Sequence, residues 1–394
     1  MTTEDNRQRE MDDFYQEIIR GAQYRMEENF IKSLHHFNNA VRMQPYNFEA
    51  YLERGVNYHL RNETLHALRD FQYAYYHCTQ NYACQATHEY QRSQYFRHIL
   101  LGLIYETNSL WDKAVKEYQN AISCDDEGFY AYFSIGYSYG SLSLIDKHKN
   151  SEQNEKLYHD AIEFFYKAIN LLETVPHHKK YYSFYASVIY TNIAWMEKRL
   201  LKNYRALECY EKAIELNPRH VRAHFSRAIH YRTMESRENA TLDYTSCIRI
   251  FEQQLKDFLT TCKPNQRCIR VVKRRISSLL EDRGLINMDH DISAAKQDFN
   301  RAIELCPNES PFAYLLLAYL YANSLDYLEA LKVCTNGAVN CCKFQGLSND
   351  RQSFRDLARL FSFKSDLLAT VNRTTESKRD EDMVKRINNL VRVD

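Results

Sequence analysis

Glycine and proline are scarce in this 394-residue chain, at nine and six residues, and tryptophan occurs only twice. So few breakers argue against a turn-rich architecture and for long helices. An excess of charge is also missing. The formal net charge is +1, so bulk electrostatics point neither to nucleic acid nor to an acidic membrane surface. No stretch approaches the roughly 20 apolar residues of a membrane-crossing helix. The polar amino terminus, MTTEDNRQREMDDF, has no apolar centre of the kind a secretory signal carries.

Chemistry-bearing motifs are missing too. There is no Gly-rich phosphate loop, no His-Glu-x-x-His helix and no Gly-x-Ser-x-Gly elbow, so the chain reads as non-catalytic and without cofactors. The 11 cysteines are scattered and odd in number, which points to reduced thiols in a cytoplasmic or nuclear setting. Cys262 with Cys268, and the Cys341–Cys342 pair, lack the spacing of structural zinc sites, and no metal is expected.

What the chain has is tyrosine, at 31 residues, and an internal period. FIKSLHHFNNAVRMQP (30–45), NYRALECYEKAIELNP (203–218) and DISAAKQDFNRAIELCP (291–307) share a small residue, an aromatic, an alanine and a closing proline. The small–aromatic–small core recurs at Ala67/Phe71/Ala74, Ala114/Tyr118/Ala121, Ala161/Phe165/Ala168 and Ala240/Tyr244/Cys247, with a weaker copy at Ala330/Cys334/Gly337. Upstream of these lies a second pattern, seen at Gly21/Tyr24, Gly55/Tyr58, Gly102/Tyr105, Gly136/Tyr139, Ala228/Tyr231 and Ala318/Tyr321.

Residues three and four apart share a helix face, so the two patterns are the two helices of one hairpin. A glycine inside a helix costs about 1 kcal/mol against alanine. Four of the nine glycines occupy the same repeat position, which calls for close approach of a neighbouring helix there. Pro45, Pro218 and Pro307 stand where the second helix must stop.

On these residues the chain resembles the tetratricopeptide repeat family, whose unit is about 34 residues. Copies fall at about 14–47, 48–81, 95–128, 129–175, 187–220, 221–254, 275–308 and 311–344. The resemblance implies an all-α, right-handed superhelical solenoid of antiparallel helix hairpins over 14–344. Residues 1–13 read as a flexible lead-in, and 141–160 as a polar loop inserted into the fourth copy. Residues 345–371 read as a capping helix, and 372–394 as a charged, partly disordered tail. In the seventh copy the expected glycine is displaced, to Gly284 beside Arg283.

In this family the first helix of each hairpin lines a concave groove for partners. The resemblance therefore implies a partner-binding groove formed by Tyr15, Ile18, Leu52, Val56 and Phe96, continuing through Ile99, Leu103, Tyr130, Phe133 and Tyr137. Further along it implies a more basic stretch with Asn192, Trp195, Arg222, Phe225 and Arg232. The expected function is a protein-interaction scaffold or adaptor, cytoplasmic or on the cytoskeleton, that holds a peptide or helix of its partner, with self-association as a further option.

Two alternatives stand beside it. A co-chaperone clamp for acidic chaperone tails finds Asn192 and Arg222 in place but Phe133, Tyr137 and Ser226 where polar or basic residues belong. An RNA- or phosphate-binding module would rest on the basic run Arg267, Arg270, Lys273, Arg274 and Arg275.

Overall fold

The computed structural model describes residues 3–61, 63–80, 88–145, 151–260, 266–342, 351–370 and 374–392. They form eighteen α-helices, with no strand among the described residues. No described helix is long and apolar enough to cross a membrane. The chain divides into two compact units, Met1–His230 and Tyr231–Asp394.

The first unit is built of antiparallel hairpins. These are α1 (Thr3–Met26) with α2 (Phe30–Met43), α3 (Phe48–Leu60) with α4 (Thr64–Gln80), and α5 (His88–Thr107) with α6 (Trp111–Cys124). They continue with α7 (Phe129–Ile145) and α8 (Ser151–Thr174), then α9 (Tyr182–Arg199) and α10 (Asn203–Leu216). A 3-10 turn at Pro176–Tyr181 leads into α9, and α11 (Val221–Thr233) carries the unit boundary. The second unit holds α12 (Arg237–Leu259), α13 (Gln266–Asn287), α14 (Ile292–Leu305), α15 (Pro311–Asn323), α16 (Tyr327–Cys342), α17 (Arg351–Thr370) and α18 (Thr374–Arg392).

Local chemistry explains where these helices begin and end. Asn29 and Asp291 cap α2 and α14 by accepting from the backbone N–H three residues on, and Asn47 caps α3 through Glu49. The proline-bearing second helices stop two residues before Pro45, Pro218 and Pro307. Many first helices close on a left-handed residue that is not glycine: Glu28, Ser109, Leu201, Glu235 and Leu325 all have φ between 53° and 62°. At each, the next N–H reaches back five residues, as in Asn29 to Tyr24 at 2.8 Å and Lys202 to Glu197 at 2.9 Å. This is the Schellman arrangement, which satisfies carbonyls the helix end would otherwise orphan.

The hairpins lock through their repeated small and aromatic positions. Phe37, Phe71, Tyr118, Phe165, Tyr210, Tyr244 and Phe299 are all fully buried or nearly so, each beside at least one alanine with no exposure. A ring buried in this way contributes on the order of 2–3 kcal/mol. The ring lies over the small residue of the preceding helix. A Cβ added at Gly55 would sit 2.6 Å from Phe71 Cε1, and one at Gly284 the same distance from Phe299 Cε1. The glycine of the seventh copy is thus displaced only in sequence. In space Gly284 does what Gly55 does, and its neighbour Arg283 grips Asp298 as Arg54 grips Asp70.

Several sequence expectations change. The lead-in is helical from Thr3, as the first part of α1. The 141–160 insertion is mostly helix: α7 runs to Ile145, α8 starts at Ser151, and only 146–150 lie outside the described residues. Residues 88–94, between the second and third copies, lengthen α5. In the carboxy-terminal region α17 packs Leu357, Leu360, Phe361 and Leu367 into a core with Tyr314 and Ala318 of α15. The charged tail is the helix α18 rather than a disordered segment, and it pairs with α17. It holds there through Ser365 and Ser377 hydroxyls at 2.8 Å and a Lys364–Asp380 ion pair at 3.2 Å.

Candidate functional site

The inner face of the first unit is closed by its own chain. Tyr185 near the start of α9 donates its hydroxyl to Glu53 Oε1 of α3 at 2.7 Å. Arg25 of α1 pairs with the same carboxylate at 2.8 Å and donates to the Glu53 carbonyl at 3.2 Å. The Arg25 guanidinium also lies 5.4 Å from the Phe37 ring centre and 5.6 Å from that of Phe184. A second tie, Arg219 to Glu27 at 2.7 Å, joins the α10–α11 turn to the α1–α2 turn. Burial raises the Tyr185 and Tyr130 hydroxyls far above the ordinary tyrosine range, and the Glu53 charge adds to it. Both are neutral hydrogen-bonding groups at any working pH.

One side of this closure leaves a cavity of about 470 Å3 between α1, α3, α5, the start of α7 and α9. Tyr15, Phe96, Phe129 and Tyr130 supply aromatic walls, and Ile18 and Leu52 an aliphatic floor. Glu49, Arg92, Asp125 and Glu127 form a charged rim, with His178 beside them. Burial, with Glu49 alongside, pushes the Tyr15 hydroxyl up to about 12. Gly128 is forced here by close approach, since a Cβ would overlap the Tyr95 ring.

The residues expected to form an open groove therefore divide. Ile18, Leu52, Ile99 and Leu103 are core, at 5% exposure or less. The physical reason is the α9 closure together with tight stacking of successive first helices, which leaves no room for an open strip. Tyr15, Phe96 and Tyr130 are half-buried and line the cavity. Val56, Phe133 and Tyr137 are half-buried against interior clusters, with Phe133 ringed by Tyr130, Phe165 and Tyr185.

Asn192 is buried, Trp195 packs edge-on to Tyr158 under Arg199, and Phe225 is half-buried. Arg222 is exposed, whereas Arg232 lies in the second unit, 3.9 Å from Asp282.

The basic run sits on α13, with Arg267, Arg270, Arg274 and Arg275 exposed and Lys273 half-buried. It is interleaved with acid. Arg270 pairs with Glu309 at 2.8 Å, and Arg274 lines a cavity of about 350 Å3 that also holds Glu281, Asp282, Glu309 and Asp356. Burial and the neighbouring Asp282 and Asp356 push the Glu281 carboxyl up to about 8. A stripe so compensated is a poor counterpart for a phosphate backbone.

Sequence reasoning missed Glu49, Glu53, Arg92, Asp125, Glu127 and Tyr185. The repeat register marks where helices begin, and so could have placed Glu49 and Glu127 on a rim. Nothing local joins Tyr185 to Glu53, which lie 132 residues apart.

Residues 188–220, spanning α9 and α10, match the model of the tetratricopeptide repeat family. No curated protein matches the sequence. Among solved structures, the apo form of the quorum sensor NprR from B. thuringiensis is 13% identical, with 92% of this chain and 97% of that one aligned at a TM-score of 0.44. TTC0263, a thermophilic TPR protein of Thermus thermophilus, is 14% identical over 59% of this chain and 98% of its own, at 0.41. The MamA protein is 17% identical over 56% and 95%, at 0.36. The chain thus carries a tetratricopeptide repeat at 188–220, with antiparallel helix hairpins recurring around it.

Proposed function

We propose that the chain is a non-catalytic protein-interaction scaffold whose partner engages the first unit at the rim of α1, α3 and α5. The observation that carries this reading is the cavity between those helices, with Tyr15 and Phe96 half-buried at its wall. Aromatic side chains in a concave site are the anchors that dominate binding energies. The partner supplies a peptide or helical segment rather than a whole folded face, because the cavity measures only about 470 Å3. Free thiols at Cys78, Cys209 and Cys334 support a reducing, cytoplasmic setting.

The co-chaperone alternative loses its basis, since Asn192 is buried where a clamp needs it to reach a carboxylate. Site-specific photo-crosslinking tests the reading: benzoylphenylalanine replaces Phe96, or Leu65 on α4 (82% exposed). A protein adduct from position 96 and none from position 65 is expected. Adducts from 65 alone would move the binding face to the other side of the hairpins.

A further inference from the structure

The first-unit cavity has a chemistry more specific than apolar. Its lining carries Glu49, Glu53, Asp125 and Glu127 against the single guanidinium of Arg92. Behind the wall Arg25 answers the Glu53 charge, which leaves a negative surplus at the mouth. Aromatic faces add to the same preference, because a ring attracts a cation placed over it. The hydrocarbon stem of a long basic side chain packs along such rings while its head stays near the carboxylates.

The first unit already holds two of its own guanidinium groups in this manner, one behind the cavity wall and one at its rim. Arg25 is held between the Phe37 and Phe184 rings while paired to Glu53 at 2.8 Å. Arg92 stands 5.9 Å from the Phe96 ring centre with a nitrogen 3.5 Å from Glu49. The two differ in burial: the Arg25 side chain is 4% exposed and fixed, whereas that of Arg92 is 55% exposed at the rim. Arg92 is loosely held, and its partners are those an incoming cation would use.

We infer that this pocket takes one arginine side chain of a peptide partner, which displaces Arg92 from Phe96 and Glu49. The inference rests on the reading of this rim as the partner-binding face. The bound guanidinium stacks on Phe96 and is held by Glu49 and Glu127, with its stem along Tyr15. Arg92 is a resident competitor that lowers affinity for the unbound pocket, so its removal strengthens binding.

Fluorescence anisotropy on the full chain tests this with short labelled peptides that differ at one central residue, arginine or its neutral isostere citrulline, between leucines. The arginine peptide is expected to bind about tenfold more tightly. Glu49→Gln with Glu127→Gln removes that difference. Arg92→Ala tightens the arginine peptide several-fold and leaves the citrulline peptide unchanged, an outcome that misfolding cannot produce. Equal affinities for the two peptides, or no response to Arg92→Ala, overturn the inference. So does saturation by spermidine with no binding of the arginine peptide, which would make the pocket a polyamine site. Failure of both peptides alongside adducts from position 96 rejects the arginine pocket and leaves the scaffold reading standing. Absence of those adducts as well removes the reading beneath it.

Discussion

The Tyr185 hydroxyl donates to Glu53 at 2.7 Å, and this bond ties α9 to α3 across 132 residues. Because Arg25 shares the carboxylate, the three groups act as one buried unit. Glu53→Ala leaves Arg25 without its counter-charge and is expected to cost about 3–5 kcal/mol in urea unfolding. Tyr185→Phe removes one hydrogen bond and costs about 1 kcal/mol. Similar small losses for both would mean that the closure is not the organising contact of the first unit.

Gly55 and Gly284 have equivalent roles in separate units. Alanine at either must push back a packed ring, Phe71 or Phe299, that has no space to move. Overpacking of this kind costs about 1–3 kcal/mol. The helix preference of alanine offsets about 1 kcal/mol of it. Thermal unfolding of the two variants should show a net loss in both cases. A gain at either would show that the helices separate easily there.

How much of this was legible in the sequence follows from the range of each contact. The glycine–aromatic pairing lies within one hairpin, so its spacing along the chain announced both the fold and the reason for the glycines. Even the one-residue slip at Gly284 was visible, though only the structure shows that the ring contact survives it. The candidate site depended on contacts between first and last hairpins of the unit, such as Arg219 with Glu27, which no local period encodes. For that reason the repeat register places Ile99 and Leu103 in a groove, whereas the structure buries them. The tail misled by composition: α18 is highly charged, yet Ser377 and Asp380 are buried against α17.

Glu106 gives the first unit a pH dependence. Its carboxyl is buried, accepts from the Tyr118 hydroxyl at 2.8 Å, and is pushed by that burial up to about 7. The folded state then binds the proton more tightly than the unfolded chain. Its stability contribution is therefore present at low pH and is lost as pH rises from about 4.5 through about 7. Glu106→Gln keeps the acceptor and removes the charge. It should raise stability at pH 8, on the order of 1–3 kcal/mol, and change little at pH 5. Equal effects at the two pH values would exclude the buried carboxyl as the cause.

His220 works in the opposite direction. It is 3% exposed, with Nδ1 2.8 Å from the Ser187 hydroxyl, which itself donates to Ala213 O at 2.8 Å. Burial, then the nearby Arg222 and His224, depress its pKa to about 3. The unfolded chain takes up that proton first, so stability is lost as pH falls below about 6.5. His220→Asn should lose less stability than wild type between pH 7 and pH 5. An identical loss would assign the acid limb to other groups.

Leu201 holds φ of 60° in the α9–α10 turn and is 83% exposed. A left-handed backbone costs a β-carbon-bearing residue about 1–2 kcal/mol. Glycine avoids that cost at some loss of chain entropy. Leu201→Gly should therefore stabilise the first unit by about 0.5–1 kcal/mol in equilibrium unfolding. A destabilised variant would show that the Leu201 side chain makes a contact that matters.

The central claim is that a partner enters the first unit at the α1–α3–α5 rim. Its most direct test is partner retention by purified chain carrying Phe96→Glu or Leu65→Glu, with circular dichroism and melting temperature matched to wild type. Loss of the retained partner with Phe96→Glu alone is the predicted result. Retention by Phe96→Glu, or equal loss with Leu65→Glu, would contradict it.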